Sequence, residues 1–126
     1  MTRVNYAKQA LMYMIHHKMY GTIYSKNTDA HGPFVISAFA DGSLMNESKS
    51  RSRVARLVKM AGASVAAKTN KTTTVHLSSA SVETEAACHA ALYIVGKRHL
   101  LEEIGIWYNK PVVIYEDNQP TIQVAN

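Results

Sequence analysis

The sequence predicts a single α/β domain in which helices pack on a mixed β-sheet. Two observations support this. In the first half of the sequence, an amphipathic pattern at helical spacing is followed by several β-branched and apolar runs. In the second half, the pattern predicts a long helix, then an apolar strand, then a short helix. The chain has 126 residues, of which 47% are hydrophobic, so it can form one ordinary core.

The first half contains one predicted helix and most of the predicted strands. Apolar residues at helical spacing indicate a helix over residues 3–18, which Gly21 ends. A dense set of turn residues predicts a loop over residues 26–33. The candidate strands are Tyr20–Ser25, Phe34–Ala40, Arg53–Met60, Ser64–Lys68 and Thr72–Leu77.

The second half predicts a long helix, a strand and a short helix. Residues 78–81 offer several N-cap side chains for a helix over residues 82–104, and Gly105 ends it. The apolar run Pro111–Tyr115 is typical of a buried, central strand. Asp117 or Asn118 then caps a last helix, with Pro120 near its first turn.

The composition indicates a chain that is neither membrane-spanning nor secreted. No apolar run approaches the roughly 20 residues that cross a bilayer, and the N-terminus lacks the features of a signal peptide. Cys88 is the only cysteine, so an internal disulfide is excluded. We therefore expect a soluble intracellular protein.

Positive charge is concentrated in one segment. The chain has 14 Lys and Arg against 9 Asp and Glu, a formal net charge of +5. A basic stripe without carboxylates fits contacts to nucleic-acid phosphates, but a solvated strand face would look the same. Its seven residues are Lys49, Arg51, Arg53, Arg56, Lys59, Lys68 and Lys71.

Acidic residues follow the two best predicted strands. Asp41 and Asp117 lie at their carboxyl ends, where the active sites of α/β sheets collect. If the strands are neighbours, the two carboxylates converge. A third acid at the start of a packed helix would complete a set of oxygen ligands suited to Mg²⁺ or Mn²⁺.

Glu83 and Glu85 compete for the third position. They lie about 200° apart around a helix, so only one can face the sheet. Glu85 extends a stripe through Cys88, Leu92 and Val95, and we therefore choose it. Each acid also has an ordinary explanation: a turn for Asp41, a helix cap for Asp117 and the helix dipole for either glutamate.

Four segments of the sequence are similar to parts of a known family: Ala7–Met14, Phe39–Ser43, Leu77–Ala87 and Ile114–Ile122. In the same order along the chain, they resemble segments of the ribonuclease H domain of copia-type LTR retrotransposon polyproteins. The first is similar to the helix joining polymerase and ribonuclease H, the second to the first strand with its Asp-Gly-Ser end, the third to the start of the catalytic helix, and the fourth to the strand ending in Asp-Asn-Gln.

The resemblance implies a ribonuclease H-like fold, incomplete at its C-terminus. It implies a connection helix and linker over residues 1–32 and a partial ribonuclease H-like domain over residues 33–126. The family's further acidic ligand lies on a later segment, and we expect no residue before Asn126 to replace it. Along the chain the three candidate acids come in the order Asp, Glu, Asp. This order argues against the related integrases, whose three catalytic acids come in the order Asp, Asp, Glu.

The resemblance further implies an activity. Asp41, Glu85 and Asp117 would be the catalytic and metal-binding acids, holding two Mg²⁺ or Mn²⁺ ions that hydrolyse the RNA strand of RNA/DNA hybrids within a reverse transcriptase. The polymerase part of the same polyprotein would be a partner, in a cytoplasmic particle or the nucleus. The alternatives are a catalytically inactive retroelement-derived domain that binds nucleic acid or a polymerase, and a small intracellular protein that has kept only the fold.

Overall fold

The computed structural model describes residues 3–24, 35–47 and 51–125. Within these ranges the chain forms three α-helices and four β-strands. In chain order they are α1 Arg3–His16, β1 Ile36–Glu47, β2 Arg51–Met60, β3 Ala63–Lys71, α2 Ser79–Glu103, β4 Val113–Tyr115 and α3 Gln119–Ala125.

The four described strands form one mixed sheet in the order β3-β2-β1-β4. Strands β1, β2 and β3 pair antiparallel, whereas β4 lies parallel to β1. Ala61 and Gly62 join β2 to β3, with φ angles of 50° and 76°. Positive φ at both turn residues matches the twist of a two-residue hairpin. The predicted α/β architecture with a mixed sheet and flanking helices is confirmed.

The core lies between one face of the sheet and α2. On the sheet, Ile36, Val54 and Val58 are almost completely buried. Fully burying a side chain of this size stabilises a fold by about 1.5–3 kcal/mol. The helix contributes small side chains, which let it approach the sheet closely. Its buried residues are Val82, Glu83, Ala86, Ala90, Ile94 and Leu101.

Strand β1 continues beyond its predicted end. The prediction that it stops at Ala40 is wrong, because Asp41 pairs with Ala55 and Gly42 pairs with Val54. Pairing with the long strand β2 overrides the turn preference of the Asp-Gly-Ser sequence. Phe34, the predicted first residue of the strand, lies outside the described residues.

The predicted strand Thr72–Leu77 is also wrong, since this segment is irregular. The Thr72 hydroxyl accepts a bond from the Ser52 backbone N–H at 3.2 Å and lies 2.9 Å from the Thr74 carbonyl oxygen. These side-chain bonds replace a strand ladder. The candidate strand over residues 20–25 is not formed at residues 20–24, and Ser25 and the loop 26–33 lie outside the described residues.

Strand β4 is short and lies at the end of the described sheet. The prediction of a buried, central strand is wrong, because Val113 and Tyr115 are 53% and 51% exposed. An apolar run indicates a strand but does not reveal whether both of its faces are covered.

The helix ends follow the predicted capping signals. The Ser78 hydroxyl caps α2 by accepting from the Ser81 N–H at 3.2 Å. Gly105, with φ 82°, follows the end of that helix. The Asn118 side chain caps α3 by accepting from the Thr121 N–H at 3.1 Å. None of the helices in the described ranges has the length and apolar character needed to cross a bilayer.

Candidate metal centre

The register between β1 and β4 brings Asp41 and Asp117 together. Phe39 lies opposite Tyr115 in this parallel pair, and each aspartate is two residues further along its strand direction. Residues two apart on a strand point to the same side. The two carboxylates therefore converge just beyond the carboxyl end of β4, beside the middle of β1. The predicted convergence is observed, but the prediction that Asp41 lies at the end of its strand is wrong, because β1 continues to Glu47.

The third acid of the cluster is Glu83. Carboxylate oxygens of Asp41, Glu83 and Asp117 all lie within 4.8 Å of one another. Asp41 and Asp117 are exposed, whereas Glu83 is only 6% exposed. A solvent-facing pair with one buried carboxylate is an arrangement in which a cation could be held on one side by protein and on the other by water or substrate.

Gly42 lets β1 approach the start of α2. A Cβ atom at this position would lie 2.9 Å from both the Glu83 backbone nitrogen and the Val82 carbonyl carbon. The Gly42 backbone N–H also donates a hydrogen bond to the Glu83 carboxylate. The glycine therefore sets the distance between Asp41, which precedes it, and Glu83.

Burial and neighbouring charges perturb Glu83. Desolvation, and then the charges of Glu116 and Asp41, raise the pKa of Glu83 from 4.5 to about 7, against the lowering effect of the Gly42 hydrogen bond. The charged form is disfavoured because a buried carboxylate loses hydration while facing like charges. An acid whose pKa is strongly perturbed by burial and by neighbouring charges is a typical feature of functional sites.

The donor set suits a hard divalent cation. All three clustered residues offer carboxylate oxygens, the ligands that Mg²⁺ and Mn²⁺ prefer. In addition, the Glu83 Oε2 atom is buried and has no hydrogen-bond partner among the described residues. A bound cation would satisfy this oxygen and offset the repulsion between the acids.

Glu85, the sequence choice for the third acid, lies elsewhere. Its Oε2 atom is 2.6 Å from His76 Nε2, and its Oε1 atom is 3.9 Å from His89 Nε2. His76 Nδ1 is in turn 2.8 Å from the Ser81 hydroxyl. Glu85 thereby holds the irregular segment before α2 against the helix, and it is not part of the acidic cluster.

The expected buried stripe on α2 is wrong. Leu92 and Val95 are 71% and 47% exposed, and Cys88 is exposed as well. The stripe that packs on the sheet instead runs through Val82, Ala86 and Ala90, and Glu83 lies beside it. Small alanine side chains mark this face, which a search for large apolar residues overlooks.

Glu116 is a fourth acid that the sequence reasoning missed. It directly precedes Asp117, and its charge contributes to the raised pKa of Glu83. A period of two from the strand residue Ile114 would have placed it on the helix-facing side of the sheet.

The basic stripe divides between the two faces of the sheet. Arg53 pairs with Lys71 across β2 and β3, and Arg56 pairs with Lys68. Val54 and Val58 face α2, so Arg56 and Lys68 share the helix side, whereas Arg53, Lys59 and Lys71 share the opposite face with Asp41. Arg51 is exposed, and Lys49 lies outside the described residues.

A cationic groove lies between β3 and α2. Its volume is about 390 Å³. The Arg56 guanidinium carbon lies 5.7 Å from the centre of the Tyr93 ring, within the range of a cation–π interaction. No described carboxylate forms an ion pair with Arg56 or Lys68. The lining residues are Arg56, Lys68, Asn70, His89, Leu92 and Tyr93.

A scan against protein-family models and searches of curated proteins and of solved structures gave no match. The geometry of the acidic cluster and the placement of the cations are therefore the features of the structure that indicate a function.

Proposed function

We propose that this chain is a metal-dependent nuclease of the ribonuclease H type that hydrolyses the RNA strand of RNA/DNA hybrids, as part of a copia-type reverse transcriptase. The observation that carries the proposal is the convergence of Asp41, Glu83 and Asp117 to within 4.8 Å. The mixed sheet with α2 packed on its core face is compatible with a ribonuclease H-like fold.

The three acids would hold the divalent cations. When bound, Mg²⁺ or Mn²⁺ supplies an activated water and stabilises the departing oxygen of an in-line displacement at phosphorus. The protein's part is to fix the ligands. The Gly42 N–H orients Glu83, and the buried Thr121 hydroxyl, 3.3 Å from the Ala80 carbonyl oxygen, attaches α3 and the preceding Asp117 to α2.

The cations support a nucleic-acid substrate. Arg53, Lys59 and Lys71 lie on the same face as Asp41, so they would contact backbone phosphates beside the acidic cluster. The groove with Arg56 and Lys68 offers a second contact on the helix side. The choice of an RNA strand paired with DNA is implied by the family resemblance, with the 2′-hydroxyl as the distinguishing group.

A second candidate function is a catalytically inactive domain that binds a polymerase or a nucleic acid. The observation that favours it is the apolar surface of α1. Val4, Tyr13 and Met14 are 62%, 62% and 61% exposed, and Leu11 and Ile15 are both 53% exposed. A helix that exposes this much apolar surface is typical of an interface with another protein or domain.

The experiment that separates the candidates is cleavage of an RNA/DNA hybrid with label on either strand. We expect Mg²⁺- or Mn²⁺-dependent cleavage of the RNA strand only, lost in Asp41→Asn and retained in Glu103→Gln. Glu103 is exposed at the far end of α2, so this control alters charge away from the cluster. A folded wild-type chain that binds the hybrid without cleaving it would favour the second candidate.

A further inference from the structure

We propose that Glu116 is a fourth carboxylate ligand of the divalent-cation site, reaching it beside Glu83. The inference rests on the proposed metal centre and adds a residue that is not among the three mutually clustered acids. It departs from the sequence expectation that no residue before Asn126 supplies a further acidic ligand. Three features of Glu116 support it: an anchored carboxylate, an unsatisfied oxygen, and uncompensated charge around it.

The Glu116 carboxylate is fixed by its own backbone. Its Oε1 atom accepts hydrogen bonds from the Asp117 N–H at 3.1 Å and the Asn118 N–H at 3.3 Å. These two bonds hold the carboxylate in one orientation at the turn between β4 and α3. A ligand oriented before the metal binds loses little conformational entropy on binding.

The remaining oxygen of Glu116 is unsatisfied. Its Oε2 atom is buried without a hydrogen-bond partner among the described residues, as is Oε2 of Glu83. The two carboxylates lie within hydrogen-bonding reach of each other. Because ionised carboxylates only accept hydrogen bonds, they satisfy each other only through something positive between them.

The charge around Glu116 favours a cation over a single shared proton. Asp41 in β1, Glu83 in the first turns of α2, and Glu116 and Asp117 directly after β4 bring four carboxylates close together. In the described part of the chain, no Lys, Arg or His forms an ion pair with any of them. One proton would neutralise one charge, whereas a divalent cation neutralises two and is attracted by all four.

The test is a calorimetric titration of Mn²⁺ into the full chain, its Glu116→Gln variant and a Glu103→Gln control. Glutamine keeps the oxygen that accepts the two backbone bonds and removes one charge. We expect Glu116→Gln to weaken Mn²⁺ binding at least roughly tenfold, a scale that even the loss of an outer-shell partner reaches. Its melting temperature in EDTA should equal or exceed that of the wild type, because one repulsive charge is gone.

Two results would overturn the inference in distinguishable ways. If Asp41→Asn abolishes Mn²⁺ binding while Glu116→Gln binds as tightly as Glu103→Gln, the three-acid centre stands and Glu116 is not a ligand. If the folded wild type binds no Mn²⁺, or binds it as Asp41→Asn does, the proposed metal centre fails together with the role of Glu116.

Discussion

Gly42 and Glu83 lie in such close contact that a Cβ atom on Gly42 would stand 2.9 Å from the Glu83 backbone nitrogen. A backbone atom cannot rotate away as a side chain can. The absence of a side chain at Gly42 is therefore what allows β1 to lie against the first turns of α2, with Asp41 and Glu83 in one cluster.

Gly42→Ala should push β1 and α2 apart. We expect a loss of about 1–3 kcal/mol in the free energy of unfolding, the usual cost of overpacking, together with weaker Mn²⁺ binding. The matched control is Gly96→Ala, since nothing lies within 4 Å of a Cβ atom at that exposed position of α2. That control should be stabilising by up to about 1 kcal/mol because alanine is the better helix former. Urea unfolding of both variants measures this, and equal stabilities would contradict the account.

The stability of the metal-free protein should fall as pH rises from about 4.5 to 7. The pKa of Glu83 is raised to about 7 in the folded state, so the folded protein keeps a proton that the unfolded chain releases above pH 4.5. The retained proton contributes about 3 kcal/mol to the free energy of unfolding, a contribution that is fully present below pH 4.5 and lost above pH 7. In EDTA, urea unfolding at pH 5 and pH 8 should show the fall in wild type and a reduced fall in Glu83→Gln. If the free energy of unfolding fell equally in both proteins, the retained proton would belong to a group other than Glu83.

The choice between Glu83 and Glu85 shows where sequence reasoning reaches its limit. Periodicity establishes that the two glutamates face opposite ways, and it correctly excludes a shared role. It does not show which face of α2 packs on the sheet, because that face carries alanines while Leu92 is 71% exposed. The pairing of β1 with β4, and the packing of α2 on the sheet, determine which glutamate lies near Asp41 and Asp117.

Glu85→Gln and Glu83→Gln should therefore have opposite effects. Glu85 contacts His76 at 2.6 Å, so its replacement should destabilise the fold and leave Mn²⁺ affinity unchanged. Glu83→Gln should abolish or strongly weaken Mn²⁺ binding without lowering the stability of the metal-free protein at pH 8. Thermal melts in EDTA and Mn²⁺ titrations measure the two effects. If Glu85→Gln lost Mn²⁺ binding and Glu83→Gln kept it, Glu85 would be the third metal ligand, as the sequence analysis predicts.

The groove cations should contribute to hybrid binding through phosphate contacts. Replacing Arg56 and Lys68 together with glutamine should weaken binding and reduce the slope of log K against log salt by roughly two, about 0.9 for each lost phosphate contact. Fluorescence anisotropy at several NaCl concentrations, in an Asp41→Asn background that prevents cleavage, measures this slope. Replacing Lys8 and Arg98, outside the basic stripe, is the matched control. An unchanged slope in the groove variant would show that the groove binds no phosphate.

Local sequence signals predicted where the helices end better than they predicted which partners the helices and strands pack against. Ser78, Asn118 and Gly105 act through neighbouring backbone groups, so their capping and stop roles are readable from sequence. The continuation of β1 past Asp41 depends on β2, and the irregular path after Thr72 depends on its bonds to Ser52. Such partners are distant in sequence, and no local pattern specifies them.

An anomalous difference map from crystals of the wild-type chain soaked in Mn²⁺ would show directly whether the three clustered acids bind a metal ion. We expect a peak bonded to Asp41, Glu83 and Asp117, just beyond the carboxyl end of β4. Crystals of Asp41→Asn treated in the same way should show a weaker peak or none. No peak at these three residues in the wild type, or a peak beside Glu85 and His76 instead, would contradict the account.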